Sequence, residues 1–215
     1  MELRSYERLT TSDLRRLGEI AARDREALFV RRLELGRMYS GRLFAVALCQ
    51  GAALHYLDGK NGIKDLDVWS FYRAVPERPY PYRRRGVVDF GDPKFGRSAT
   101  NGEFVGRSVD LLGRSIDAPN FSDPVAVLRD YLASRKTESA RLLARKAVVL
   151  IEPANLLGAA VWSTDAAFAL SETCRSTALV PTQSARSLDS PTALLGTTRA
   201  GRSAADCPVL PMSSE

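Results

Sequence analysis

Cysteine is scarce in this chain: there are three among 215 residues, Cys49, Cys174 and Cys207, and no C-x-x-C pair that could clamp zinc or run thiol exchange. Their scatter and odd number point to a reducing compartment, and a domain of this length buries enough surface to do without cross-links. Histidine is scarcer still, with His55 alone, so no H-E-x-x-H zinc site can be built. No Ser-His-Asp order and no G-x-G-x-x-G after a strand occurs, which removes support for hydrolase and dinucleotide-binding readings. Gly91-Asp92-Pro93-Lys94-Phe95-Gly96-Arg97 could bend over phosphates, yet it lacks the G-x-x-x-x-G-K-[ST] spacing of a P-loop. Eighteen uninterrupted apolar residues are found nowhere, and Met1-Glu2-Leu3-Arg4-Ser5 runs into charge without an apolar signal region. The expectation is a cytoplasmic protein with no membrane contact.

What is abundant is arginine, and the formal net charge is +6, a balance that suits a polyanionic partner and that arginine-rich codon usage would also produce. Thr11-Ser12-Asp13 offers helix caps before Leu14, Leu17, Ile20 and Ala21, and the pattern continues through Leu28, Phe29 and Leu33 to Gly36 or Gly41, predicting a two-part helical lead-in. Leu43 to Cys49 reads as a buried strand closing at Gln50-Gly51, Ala52 to Leu57 as a short helix, and Asp58 to Gly62 as a turn. Ile63 to Tyr72 alternates as a strand, with Leu66, Val68 and Ser70 on one face and Asp65, Asp67 and Trp69 on the other. A long proline- and glycine-marked connection follows, with a short strand at Val87 to Phe90, then a strand from Phe104 to Leu112. Asp123-Pro124 and Thr137 open two helices, and Ala147 to Ile151 is read as the last strand, stopped at Pro153. The fold class expected is α/β (α+β), a small mixed sheet with flanking helices in the order α-β-α-β-β-α-α-β, with the short Val87 to Phe90 strand counted as part of the long connection. The domain is taken as residues 1–163. Residues 164–215, rich in Ser, Thr and Ala and without lysine, are read as a low-complexity, disordered tail that carries no chemistry.

The chemistry-bearing constellation is Lys64-Asp65-Leu66-Asp67-Val68, where strand alternation sets two carboxylates side by side. Phosphoryl and nucleotidyl transfer need divalent metal to offset triphosphate charge, and Mg²⁺ is usually held by a few carboxylates with phosphate oxygens and water. Asp110, in the strand that follows Arg107, is the candidate third acid for a two-metal site, whose ions sit about 3.5–4 Å apart. Strand aspartates also occur on solvated outer faces and edge strands, which is the alternative reading. Secondary candidates carry alternatives too. His55 could touch a base or be packed, Trp69 could sit beside a base or in the core, and Arg83-Arg84-Arg85 beside Tyr80 and Tyr82 could grip nucleic acid or form a solvated loop. Arg135 and Lys136 are conceivable triphosphate contacts on charge alone.

Leu48-Cys49-Gln50-Gly51-Ala52 followed by Ile63-Lys64-Asp65-Leu66-Asp67-Val68 resembles the signature of the polymerase-β-type nucleotidyltransferases, an apolar strand ending in glycine, a short helix, and a strand with paired acids. The resemblance covers residues 43–112 and implies a metal-dependent transfer of a nucleoside monophosphate from a nucleoside triphosphate to a hydroxyl on a small molecule, an RNA end or a protein. It implies Asp65, Asp67 and Asp110 as catalytic metal ligands for Mg²⁺, with Gly51, Ala52 and Lys64 on the nucleotide side. Gly51 would open a helix N-terminus toward the phosphates, and Asp110 would help deprotonate the attacking hydroxyl. Ala52 stands where the family has Gly or Ser. The family's small members include antibiotic-modifying enzymes and toxin–antitoxin components. The other function expected is a non-catalytic module of the same fold that binds nucleic acid or a protein partner through the arginine-rich loop.

Overall fold

A computed structural model describes residues 4–76, 78–80 and 84–164. The expected tail from residue 165 onward, with Cys174 and Cys207, lies outside the described residues, as do Tyr82 and Arg83. The helical lead-in is α1 (Thr11–Arg31) and α2 (Leu33–Tyr39), divided at Arg32. Thr10, one residue before the expected cap, caps α1: its hydroxyl accepts from the Asp13 amide while the Asp13 carboxylate accepts from the Thr10 amide, a reciprocal capping box. β1 (Leu43–Cys49) runs directly into α3 (Gln50–Asp58), and β2 (Leu66–Arg73) follows the turn. Beyond the long connection come β3 (Arg84–Asp89), β4 (Ser108–Ile116), α4 (Pro124–Ser134), α5 (Glu138–Leu143), β5 (Ala147–Glu152) and β6 (Ala160–Ser163).

The six strands form one mixed sheet in the order β3-β4-β2-β1-β5-β6. β2 and β4 pair in parallel and the other neighbours are antiparallel. Helices cover both faces, because alternate residues of the central strands are apolar on either side. On one face Val46, Leu48, Val68, Leu111 and Val149 pack with Leu14, Leu17 and Ile20 of α1 and Ala52 and Ala53 of α3. On the other Ala47, Cys49, Trp69, Phe71 and Val148 pack with Leu128 and Leu132 of α4 and Leu143 of α5. A third cluster, Leu28, Leu35, Tyr39, Tyr72 and Tyr80, seals the lead-in against the far end of β2. No helix among the described residues is long and apolar enough to cross a membrane.

Three boundaries differ from expectation for local reasons. Ile63 forms an isolated bridge with Ser5, so β2 proper starts at Leu66 and Asp65 precedes it. The strand expected from Phe104 starts at Ser108, because the Val105 and Gly106 amides turn aside to donate to the Asp89 carboxylate at 2.7 and 2.8 Å. A side chain at Gly106 would meet the Asp92 carbonyl oxygen at 2.4 Å, so that closure needs glycine. Finally, Pro153 does not end the sheet: after a short 3-10 turn at Ala154–Leu156 the chain returns as β6 against β5.

Candidate active site

β1 ends at Cys49 and the chain turns into α3 through Gln50, whose φ of 63° lies in the left-handed region that side-chain residues avoid. The Gln50 side-chain amide donates to the Leu142 carbonyl at 2.8 Å and so ties this turn to α5. No side chain caps α3, so the helix presents uncapped N–H groups beside Gly51. The residue in a glycine-like conformation is therefore Gln50. Ala52, expected on the nucleotide side, is 2 % exposed and packs in the core under α3.

A cavity of about 300 Å³ opens at this corner. Gln50, Gly51 and Gly62 line it together with the carboxylates of Asp65 and Asp67 and the cationic side chains of Arg4, Lys64 and Lys146. Three positive groups thus face two negative ones. Lys146 arrives because β5 starts where β1 ends, and a Cβ placed on Gly51 would stand 3.4 Å from its Nζ. Gly62 is required by close approach, since a Cβ there would meet Arg4 at 2.7 Å where the N-terminal segment crosses.

Asp67 lies in register with Asp110 across the parallel β2–β4 pair, and with Cys49 across β1–β2. In-register residues on neighbouring strands lie about 4.8 Å apart and share a face, so the row Asp110–Asp67–Cys49 points toward the α4/α5 side. Asp110 is only 8 % exposed and is not among the residues lining the cavity. Burial, followed by the charge of Asp67, pushes the Cys49 thiol well above its usual range, so it stays protonated at neutral pH and is no nucleophile.

Arg107 is buried just before β4, and its Nε donates to the Phe95 carbonyl at 2.9 Å. Burial lowers its guanidinium pKa, and the facing Asp65 carboxylate opposes that shift. Arg107 therefore anchors the loop between β3 and β4 while its charge acts on Asp65.

The remaining candidates fall elsewhere. His55 is buried, with Nε2 3.0 Å from the Glu7 carbonyl, and Trp69 is core, stacked on Phe71. Tyr80 is also core, stacked on Tyr72 at 4.4 Å between ring centroids. Lys94 donates to Asp13 at 2.6 Å, which gives its ammonium an internal partner far from Gly51 in sequence. Arg135 and Lys136 are exposed in the link between α4 and α5 and do not line the cavity. Sequence reasoning missed Arg4, Lys146, Gln50 and Arg107. Gln50, inside the motif at Gly51, and Arg107, directly ahead of the strand that carries Asp110, left a local signal.

Among the described residues no group of three or more His, Cys, Asp or Glu is gathered to hold a metal ion. Two carboxylates on one cavity still match the donor set of Mg²⁺, which takes one or two protein carboxylates and completes its shell with phosphate oxygens and water. Comparison with protein-family models, curated proteins and solved structures returns no match for this chain.

Proposed function

We propose that this chain is a metal-dependent nucleotidyltransferase that moves a nucleoside monophosphate from a nucleoside triphosphate onto a hydroxyl acceptor. The observation that carries the reading is the register of Asp67 with Asp110 beside a basic cavity at the uncapped N-terminus of α3. In this reading the α3 amides next to Gly51, with Lys64 and Lys146, hold the triphosphate oxygens by charge and hydrogen bonding. Asp65 and Asp67 hold a divalent cation such as Mg²⁺, which supplies charge neutralisation to the phosphates. Asp110 accepts the proton of the attacking hydroxyl at a carboxylate oxygen. The hydroxyl oxygen bonds to the α-phosphorus as the bond to pyrophosphate breaks, and in-line positioning supplies most of the rate. Arg107 keeps Asp65 aimed at the cavity.

A second reading, a non-catalytic module that binds nucleic acid or a protein partner, is favoured by the burial of Asp110, which does not itself line the cavity.

Thermal melting with Mg²⁺ and each nucleoside triphosphate separates the two. A ligand at about a hundred times its dissociation constant stabilises by roughly 2.7 kcal/mol, about 5–10 °C for a domain of this size. The expected result is such a shift with at least one triphosphate, absent in Asp65→Asn/Asp67→Asn, and transfer of label from the α-phosphate abolished in Asp110→Asn. No shift with any triphosphate, in folded protein, would move the conclusion to the second reading.

A further inference from the structure

The end of the sheet remote from Asp65 carries a second charged cavity, of about 500 Å³, lined by Arg37, Arg42 and Arg73 with Val75 and Asn120. Among the described residues no carboxylate lines it. The antiparallel pairing of β1 and β2 forces two of these cations together, since the Arg73 amide donates to the Arg42 carbonyl at 2.8 Å. Like charges set side by side repel, and no acidic residue among the described residues lines this cavity to offset them. Arg73 is held in place: its Nε donates to the Pro119 carbonyl at 3.2 Å and its guanidinium lies over the Phe44 ring at 5.5 Å. The Arg37 and Arg42 side chains are exposed and make no hydrogen bond or ion pair among the described residues.

The loop that Arg73 grips carries Phe121, next to Asn120 of the cavity wall. Phe121 is 101 % exposed and sits at a left-handed φ of 59°. A wholly exposed phenylalanine, held out by an unfavoured backbone angle, packs against none of the described residues. Guanidinium groups that match phosphate oxygens, beside an aromatic face open to stacking, form the pair of features by which proteins hold unpaired strands. A duplex would keep its bases stacked within itself and leave the ring unused.

We propose that Arg37, Arg42, Arg73 and Phe121 form a binding site for single-stranded nucleic acid. The site lies across the length of β1 from the Asp65 cavity, roughly 23 Å at about 3.3 Å per residue, and does not depend on the transferase reading.

The test is fluorescence anisotropy of a labelled oligothymidylate and a labelled oligouridylate with the full chain over a salt series. Arg37→Ala/Arg42→Ala should weaken binding and flatten the slope of log affinity against log salt by roughly 1.4, about 0.7 for each lost phosphate contact. Phe121→Ala should weaken binding roughly five- to a hundredfold with the slope unchanged. Asp65→Asn/Asp67→Asn should bind as the parent does, so failure of the transferase reading leaves this result standing. Melting midpoints equal to that of the parent show that the variants are folded. Affinity untouched by the arginine pair overturns the proposal. So does an effect of the arginines with none from Phe121, or displacement of the strand by polyglutamate at equal charge concentration, because either outcome describes a general anion patch or an acidic protein partner.

Discussion

Asp13, Asp58 and Asp89 each do structural work as charged carboxylates. Burial alone would raise the Asp13 pKa, but the Lys94 ammonium and the Thr10 hydroxyl and amide outweigh it and hold the group below its usual range. The same balance lowers Asp58, through the Lys60 and Asn61 amides and the Asn61 side chain, and Asp89, through the amides of Gly91, Val105 and Gly106. A folded pKa below the unfolded value means that the unfolded chain takes up protons first. The stabilisation is therefore present in full above the unfolded carboxylate value, about 3.9, and is lost as pH falls through and below it. The melting midpoint should hold steady from neutrality to about pH 5 and drop steeply below about pH 4. Asp13→Asn should melt lower at neutrality and decline less on acidification, and parallel curves for the two proteins would show that Asp13 contributes no such linkage. At this scale the sequence was legible where chemistry is local: Asp65 and Asp67 do share a cavity. It was illegible for Tyr80, whose arginine-rich neighbours suggested a stacking contact. The partners that bury its ring, Tyr39 and Tyr72, come from distant segments.

β4 shows how one element positions the others. It carries Asp110 beside Asp67, supplies Ser115 Oγ as acceptor for the Tyr80 amide at 3.0 Å, and has glycine at position 113 where the Tyr80 ring crosses. A Cβ on Gly113 would stand 2.5 Å from Tyr80 Cε1, and that ring is pinned by its stack on Tyr72 and its edge contact with Tyr39. Gly113→Ala should therefore overpack the third core cluster and cost about 1–3 kcal/mol in urea unfolding. A change within a few tenths of a kcal/mol would mean that the tyrosine cluster yields freely. Helix starts were legible because caps are local: Asp123 accepts from the Val125 and Ala126 amides, and Thr137 from Ala140. The start of β4 was not, because residues 104–107 have strand-like composition and are diverted by Asp89, a partner 16 or 17 residues away. β6 was missed because four residues after a proline offer too little periodicity to read.

For the molecule as a whole, the order of elements as far as β5 could be read from pattern, but their neighbours could not. Nothing local says that β1 lies between β2 and β5, or that β2 and β4 run parallel across an intervening long connection. Those two facts create the candidate site, since the first brings Lys146 to Gly51 and the second brings Asp110 to Asp67. Sheet order is decided by which faces must be covered, a property of the assembled core. Here α1 and α3 cover one face, α4 and α5 cover the other, and β6 extends the edge beside β5. All of these elements end by Ser163. A chain stopped after Thr164 retains every one of them, so it should unfold in a single cooperative transition, with a midpoint within about 2 °C of the full chain, the equivalent of less than roughly 1 kcal/mol. Circular dichroism melting of the two proteins checks this. A broad transition, or a midpoint lowered by about 10 °C, would mean that residues after 164 cover part of this core, and the boundary of the folding unit would move toward the C-terminus.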